Sequence, residues 1–137
     1  MNLPGLTFHH LGLAVKKEDD ALTMLRLQGY ATGEKIFDPL QNVHVRLCTS
    51  ADMPAVEIVS PPESGESPID ALIAQGSRMY HICYETPDLG KSLAVLEDAG
   101  LRCVPLAERK PAVLFGGRHV SFYNIPGFTI IELLEET

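Results

Sequence analysis

Apolar and polar residues alternate along the chain in short runs, punctuated by glycine, proline and aspartate, and two stretches carry helical spacing instead. Residues 8–15 place Leu11, Leu13 and Val15 on one face of an extended segment. Asp19 to Gln28 reads as an amphipathic helix with Leu22 and Leu25 on its stripe, closed by Gly29. Three strand-like runs follow at about 30–37, 42–48 and 54–60. The order then starts again. Residues 79–86 alternate, and Asp88 to Ala99 is helical with Leu89, Leu93 and Leu96 on one stripe. Asp88 is its expected N-cap and Gly100 its stop. Strand runs close the chain at about 101–106, 117–123 and 128–134.

The recurrence is collinear. His10 and His81 stand 71 residues apart, and the same offset carries Leu22 to Leu93, Leu25 to Leu96 and Gly29 to Gly100. An offset of 75 carries His44 to His119, Val45-Arg46-Leu47 to Val120-Ser121-Phe122, and Glu57 to Glu132. Two βαβββ modules are therefore expected, at about 6–60 and 78–135. Between them, at about 61–77, Ser60-Pro61-Pro62-Glu63-Ser64-Gly65-Glu66 reads as a linker. A short helix follows, with Ser67 as N-cap, Pro68 in its first turn and Gly76 as stop. The fold class is α+β.

Strand parity nominates the chemistry. If the apolar set of each strand packs beneath its helix, His10, Glu57, His81 and Glu132 face the other way, two from each module at matching places. Should the two sheets form one curved surface, a pseudo-twofold brings the four together. Two imidazoles and two carboxylates suit one divalent metal ion such as Zn, Ni, Co or Mn. Any one of them alone is an ordinary strand residue; the duplicated placement singles out the set. The same parity argument sends Val45 and Leu47 beneath the sheet. It turns His44 and Arg46, and in the partner strand His119, Ser121 and Tyr123, toward the metal side. Proton transfer by His44 or His119 and anion or carbonyl pairing by Arg46 stand beside the plainer reading of polar residues lining a wet concavity. His9 falls on the opposite face from His10 and is read as structural, and Cys83 as a small buried hydrophobe.

Composition changes this picture only at its margins. The chain has 137 residues, 45% of them hydrophobic, enough for one domain or two small halves sharing a core. A formal net charge of −7 argues against nucleic-acid or anionic-membrane partners. Three widely spaced cysteines, with no CxxC pair, argue against disulfides and thiolate zinc, and no signal peptide or spanning segment is evident. A cytoplasmic protein is expected. The loop Glu108 to Arg118, with Gly116-Gly117, offers Arg109, Lys110 and Arg118 as a local positive patch or as a solvated hairpin tip.

The segments His10-Leu11-Gly12-Leu13-Ala14-Val15, Val56-Glu57-Ile58-Val59-Ser60-Pro61, Met79-Tyr80-His81-Ile82-Cys83-Tyr84-Glu85 and Ile131-Glu132-Leu133 resemble the vicinal oxygen chelate superfamily. This is the glyoxalase I, bleomycin resistance and dioxygenase group, and the nearest resemblance within it is to the methylmalonyl-CoA epimerases. It covers about residues 8–135. It implies paired βαβββ modules forming a curved mixed sheet around a metal-lined cleft, with His10, Glu57, His81 and Glu132 as metal ligands. It further implies an isomerase or epimerase acting by proton transfer next to a carbonyl held by the metal. Glu57 and Glu132 are then candidate base and acid, with His44 as a further catalytic candidate. Arg46, Arg118, His119 and Tyr123 are candidates to bind substrate, an acyl-CoA or another carbonyl compound, and the resemblance implies a homodimer.

Some epimerases carry Gln at the Glu57 position, whereas glyoxalase I carries Glu. Epimerases also use a glutamate from the strand that here reads Val43-His44-Val45-Arg46-Leu47, with no carboxylate. A glyoxalase I-type lactoylglutathione lyase and a metal-free small-molecule binding or resistance protein remain the alternatives. An extradiol dioxygenase is disfavoured by the second glutamate.

Overall fold

A computed structural model describes residues 2–137. Among them are nine strands and three α-helices, an α+β fold. The described residues divide into two compact units, 10–80 and 2–9 with 81–137.

In the first unit, β1 (Thr7–Ala14) leads to α1 (Asp19–Leu27), β2 (Ala31–Thr32), β3 (Ile36–Asp38), β4 (Val43–Thr49) and β5 (Ala55–Ser60). The strand order is β2-β4-β5-β1, with β3 also on β4. β1 and β5 run parallel, β4 and β5 antiparallel. The run expected at about 30–37 is broken into β2 and β3. Gly33 lies at the break and donates from its N–H to the Leu47 carbonyl at 2.9 Å. Leu25 of α1, with Ala21 and Leu22, packs on Leu13, Val15, Cys48, Val56 and Ile58. The helix ends where Gly29 takes a φ of 90°, a conformation other residues adopt only with strain.

The short helix α2 (Asp70–Ile73) begins later than the sequence suggests. Its N-cap is Ile69, with no side-chain cap, rather than the expected Ser67; the Ser67 hydroxyl accepts from the Ile69 N–H at 3.3 Å, and the Ser67 N–H donates to the Asp70 carboxylate at 2.9 Å, in the turn before the helix.

The second unit repeats the plan with β6 (Arg78–Thr86), α3 (Leu89–Asp98), β7 (Val104–Pro111), β8 (His119–Asn124) and β9 (Ile130–Glu135), in the order β6-β9-β8-β7. β6 and β9 run parallel. Asp88 caps α3, its carboxylate accepting from the Lys91 N–H at 3.1 Å. Leu89, Leu93 and Leu96 pack on Tyr84, Ile125, Ile131 and Leu133, the stripe that the spacing predicts.

Candidate metal centre

The parallel pairing in each unit aligns the candidate ligands in the same way. In β1 and β5, Gly12 sits opposite Glu57 and Leu13 opposite Ile58. Paired residues share a face, so Ile58 takes the helix side and Glu57, with His10, takes the other. In β6 and β9, Cys83 sits opposite Glu132 and Tyr84 opposite Leu133. His81 and Glu132 are thereby turned from α3. In the first unit, Nε2 of His10 lies 3.5 Å from Oε1 of Glu57. In the second, Nε2 of His81 lies 3.1 Å from Oε1 of Glu132. All four side chains are buried. Each unit thus holds one buried imidazole–carboxylate pair of candidate ligands.

Cross-strand register corrects the expectation for His44, Arg46, His119 and Tyr123. Glu57 pairs with Leu47, and Val59 with Val45; Ile58 pairs with Arg46, and Ser60 with His44. Val45 and Leu47 therefore stand on the face of Glu57, and His44 and Arg46 on the helix side. In the second unit Glu132 pairs with Phe122 and Leu134 with Val120, while Leu133 pairs with Ser121 and Ile131 with Tyr123. Tyr123 packs in the core beneath α3, and burial raises the pKa of its phenol. His119 has the same parity.

Arg46 has a different task. Its Nε and Nη2 donate to the two carboxylate oxygens of Glu18 at 2.9 and 3.2 Å, and its Nη1 to the Gly33 carbonyl at 2.7 Å. This ties the start of α1 to β4 and to the break between β2 and β3. Burial alone would raise the Glu18 pKa. The hydrogen bonds and charge of Arg46, with Lys35 at 3.5 Å, outweigh burial and hold the pKa below its ordinary range. His44 stacks at a tilt on Phe37, ring centroids 5.2 Å apart.

Arg118 is also engaged: its Nη2 lies 2.6 Å from the Glu85 carboxylate, and its Nε donates to the Glu135 carbonyl at 2.9 Å. Arg109 pairs with the Glu135 carboxylate at 2.6 Å. Two of the three cations expected to form an open patch thus carry a carboxylate partner.

Parity reasoning missed Phe122, whose ring meets His81 edge-on at 5.3 Å, and Leu47, its counterpart beside Glu57. The repeat held the signal. The offset of 75 that carries Glu57 to Glu132 carries Leu47 to Phe122.

The family model of the glyoxalase, bleomycin resistance protein and dioxygenase superfamily matches residues 9–122. The chain belongs to this superfamily. Among solved structures it is similar to methylmalonyl-CoA epimerase from Mycobacterium tuberculosis, at 19% identity and TM-score 0.72, covering 99% of this chain and 90% of that one. A hypothetical protein from Bacillus halodurans aligns at 20% identity and TM-score 0.76, over 96% and 95% of the two chains. A Streptomyces coelicolor methylmalonyl-CoA epimerase variant in complex with 2-nitronate-propionyl-CoA aligns at 21% identity and TM-score 0.68, over 95% and 97%. Comparison with curated proteins gives no match. No helix of the described residues is long and apolar enough to cross a membrane.

Proposed function

We propose that the chain is a divalent-metal-dependent isomerase that moves a proton at a carbon next to a carbonyl, in the manner of an epimerase. The observation that carries this reading is the repeated buried pair, His10 with Glu57 and His81 with Glu132. Burying a carboxylate beside an imidazole is costly unless a cation compensates it, and the chain does so twice with the same strand register. Two nitrogen and two oxygen donors fit a divalent ion of the zinc, nickel, cobalt or manganese type. Bound there, such an ion would supply positive charge where negative charge develops on proton removal.

The remaining work falls to the chain itself. His10 and His81 are the nitrogen donors, held from inside their strands. Glu57 and Glu132 are the carboxylates able to take the α-proton and to return one to the opposite side of the carbon. One proton leaves and one arrives, so configuration changes and composition does not. Membership of the superfamily and the fold of the epimerase structures support this assignment. The two carboxylates equally suit the lyase reading, in which the proton moves within a hemithioacetal.

Solvent-deuterium uptake at the α-carbon of a racemic α-substituted thioester, followed by NMR, tests the proposal. We expect uptake that needs the added divalent ion and falls at least about a hundredfold in Glu132→Gln. Uptake unchanged by chelation and by Glu132→Gln would refute it. Deuterium entering only a glutathione hemithioacetal would assign the lyase activity.

A further inference from the structure

The first unit carries an open cavity of about 910 Å3, and every residue lining it lies between Leu13 and Ser77. That volume is in the range of small-molecule sites. The cavity lies on the helix side of the sheet, away from His10 and Glu57, because Leu13 pairs with Ile58 and both pack toward α1. The ends of β1 and β5 supply Leu13, Val15 and Pro61 to its lining, α1 supplies Ala21 and α2 supplies Ile73. Val15 and Ile73 are buried and the other three half-buried, so this apolar surface is set into the fold. The rest of the lining is charged. Lys16 and Lys17 come from the connection between β1 and α1, Asp20 from the first turn of α1 and Asp70 from α2, and all four are exposed. Among the described residues Lys16, Lys17 and Asp20 enter no ion pair. Asp70 accepts from the Ser67 N–H through Oδ2 at 2.9 Å.

We propose that this cavity is a second ligand site, which takes a short apolar peptide in its zwitterionic form. Two ammonium groups and two carboxylates stand around one apolar hollow. A simple anion or cation would meet as much like charge there as opposite charge. A zwitterion meets both signs with their complements: its carboxylate pairs with Lys16 and Lys17, and its ammonium with Asp20 and Asp70. Apolar side chains between the two ends replace water over Leu13, Val15 and Ile73. The site is independent of the isomerase reading, since it lies on the opposite face of the sheet from His10 and Glu57.

Calorimetry of the full chain with leucyl-leucine tests the proposal. A chelator is present throughout, because a dipeptide coordinates metal ions through its own amine and carbonyl. Leucyl-leucine should bind at least about tenfold more tightly than glycyl-glycine. Its N-acetyl and C-amide forms, each lacking one charge, should bind about threefold more weakly or worse, the scale of exposed charge pairs. Lys16→Gln combined with Lys17→Gln should abolish the discrimination against the amide, and Asp20→Asn combined with Asp70→Asn that against the acetyl form. These are exposed positions, so both double variants should keep the wild-type circular dichroism. Amide shifts on titration should concentrate at residues 13–21 and 70–77. No binding at about 10 mM peptide, equal affinity for glycyl-glycine or for either capped form, or wild-type discrimination in the folded double variants would overturn the assignment.

Discussion

A carboxylate beside an imidazole, both out of water, is an arrangement a chain adopts at a cost, and here it occurs at His10 with Glu57 and again at His81 with Glu132. These four residues were legible in the sequence because duplication copied them at fixed offsets and their strand neighbours Leu11, Leu13, Val56 and Ile58 defined the opposite face. Arg46 was not legible. Its partner Glu18 lies 28 residues away, just before α1, and nothing local in either stretch announces the pair. Arg46 is consequently expected to matter for stability. Replacing it with alanine leaves Glu18 nearly buried with Lys35 alone, a loss of about 2–3 kcal/mol near neutral pH. The lowered pKa of Glu18 sets the sign of the pH dependence. Its ionised form stabilises the fold above the ordinary carboxylate value, and that contribution disappears as pH falls through the lowered one. Urea titrations of wild type and Arg46→Ala should therefore differ most at about pH 7 and converge toward about pH 3. An equal gap at both values would contradict this account of the pair.

At the scale of elements, α1, α3, the Asp88 cap and the succession of strands and helix in each half followed from periodicity and turn residues. The faces of β4 and β8 did not. Both sheet faces are buried: five consecutive residues of β5, Val56 to Ser60, and four of β9, Ile131 to Leu134, are out of water. Alternation identifies a face only when one side is wet. Here Val45, Leu47, Val120 and Phe122 are apolar because they line the side of the carboxylates. Arg46 and Ser121 are polar although they lie under or beside helices. Register decides between these options, and register is a property of two strands rather than one. The break between β2 and β3 is similarly non-local. A Cβ on Gly33 would lie 2.5 Å from the Leu47 carbonyl oxygen, a backbone atom. Gly33→Ala is therefore expected to push β4 away and destabilise by about 1–3 kcal/mol, read by thermal unfolding. A melting temperature equal to wild type would show that the two segments can separate freely.

For the molecule as a whole, duplication is the main fact: 137 residues hold one plan twice, and each unit holds one buried imidazole and one buried carboxylate. Part of the net charge of −7 is accordingly Glu57 and Glu132, which the account assigns to a cation. The loop of residues 112–117 departs from the plan, packing Ala112 and Phe115 against Cys83, Val120 and Leu134 of the second unit. The metal is thus assigned to the part that duplication repeated. Elemental analysis of the purified chain, after exchange into metal-free buffer and reconstitution, tests that assignment most directly. The account predicts roughly one divalent ion per folded wild-type chain and less than about a tenth of that in His10→Ala and in Glu132→Ala, with both variants retaining their circular dichroism. Full occupancy in either variant, or a wild-type chain that takes up no ion, would contradict it.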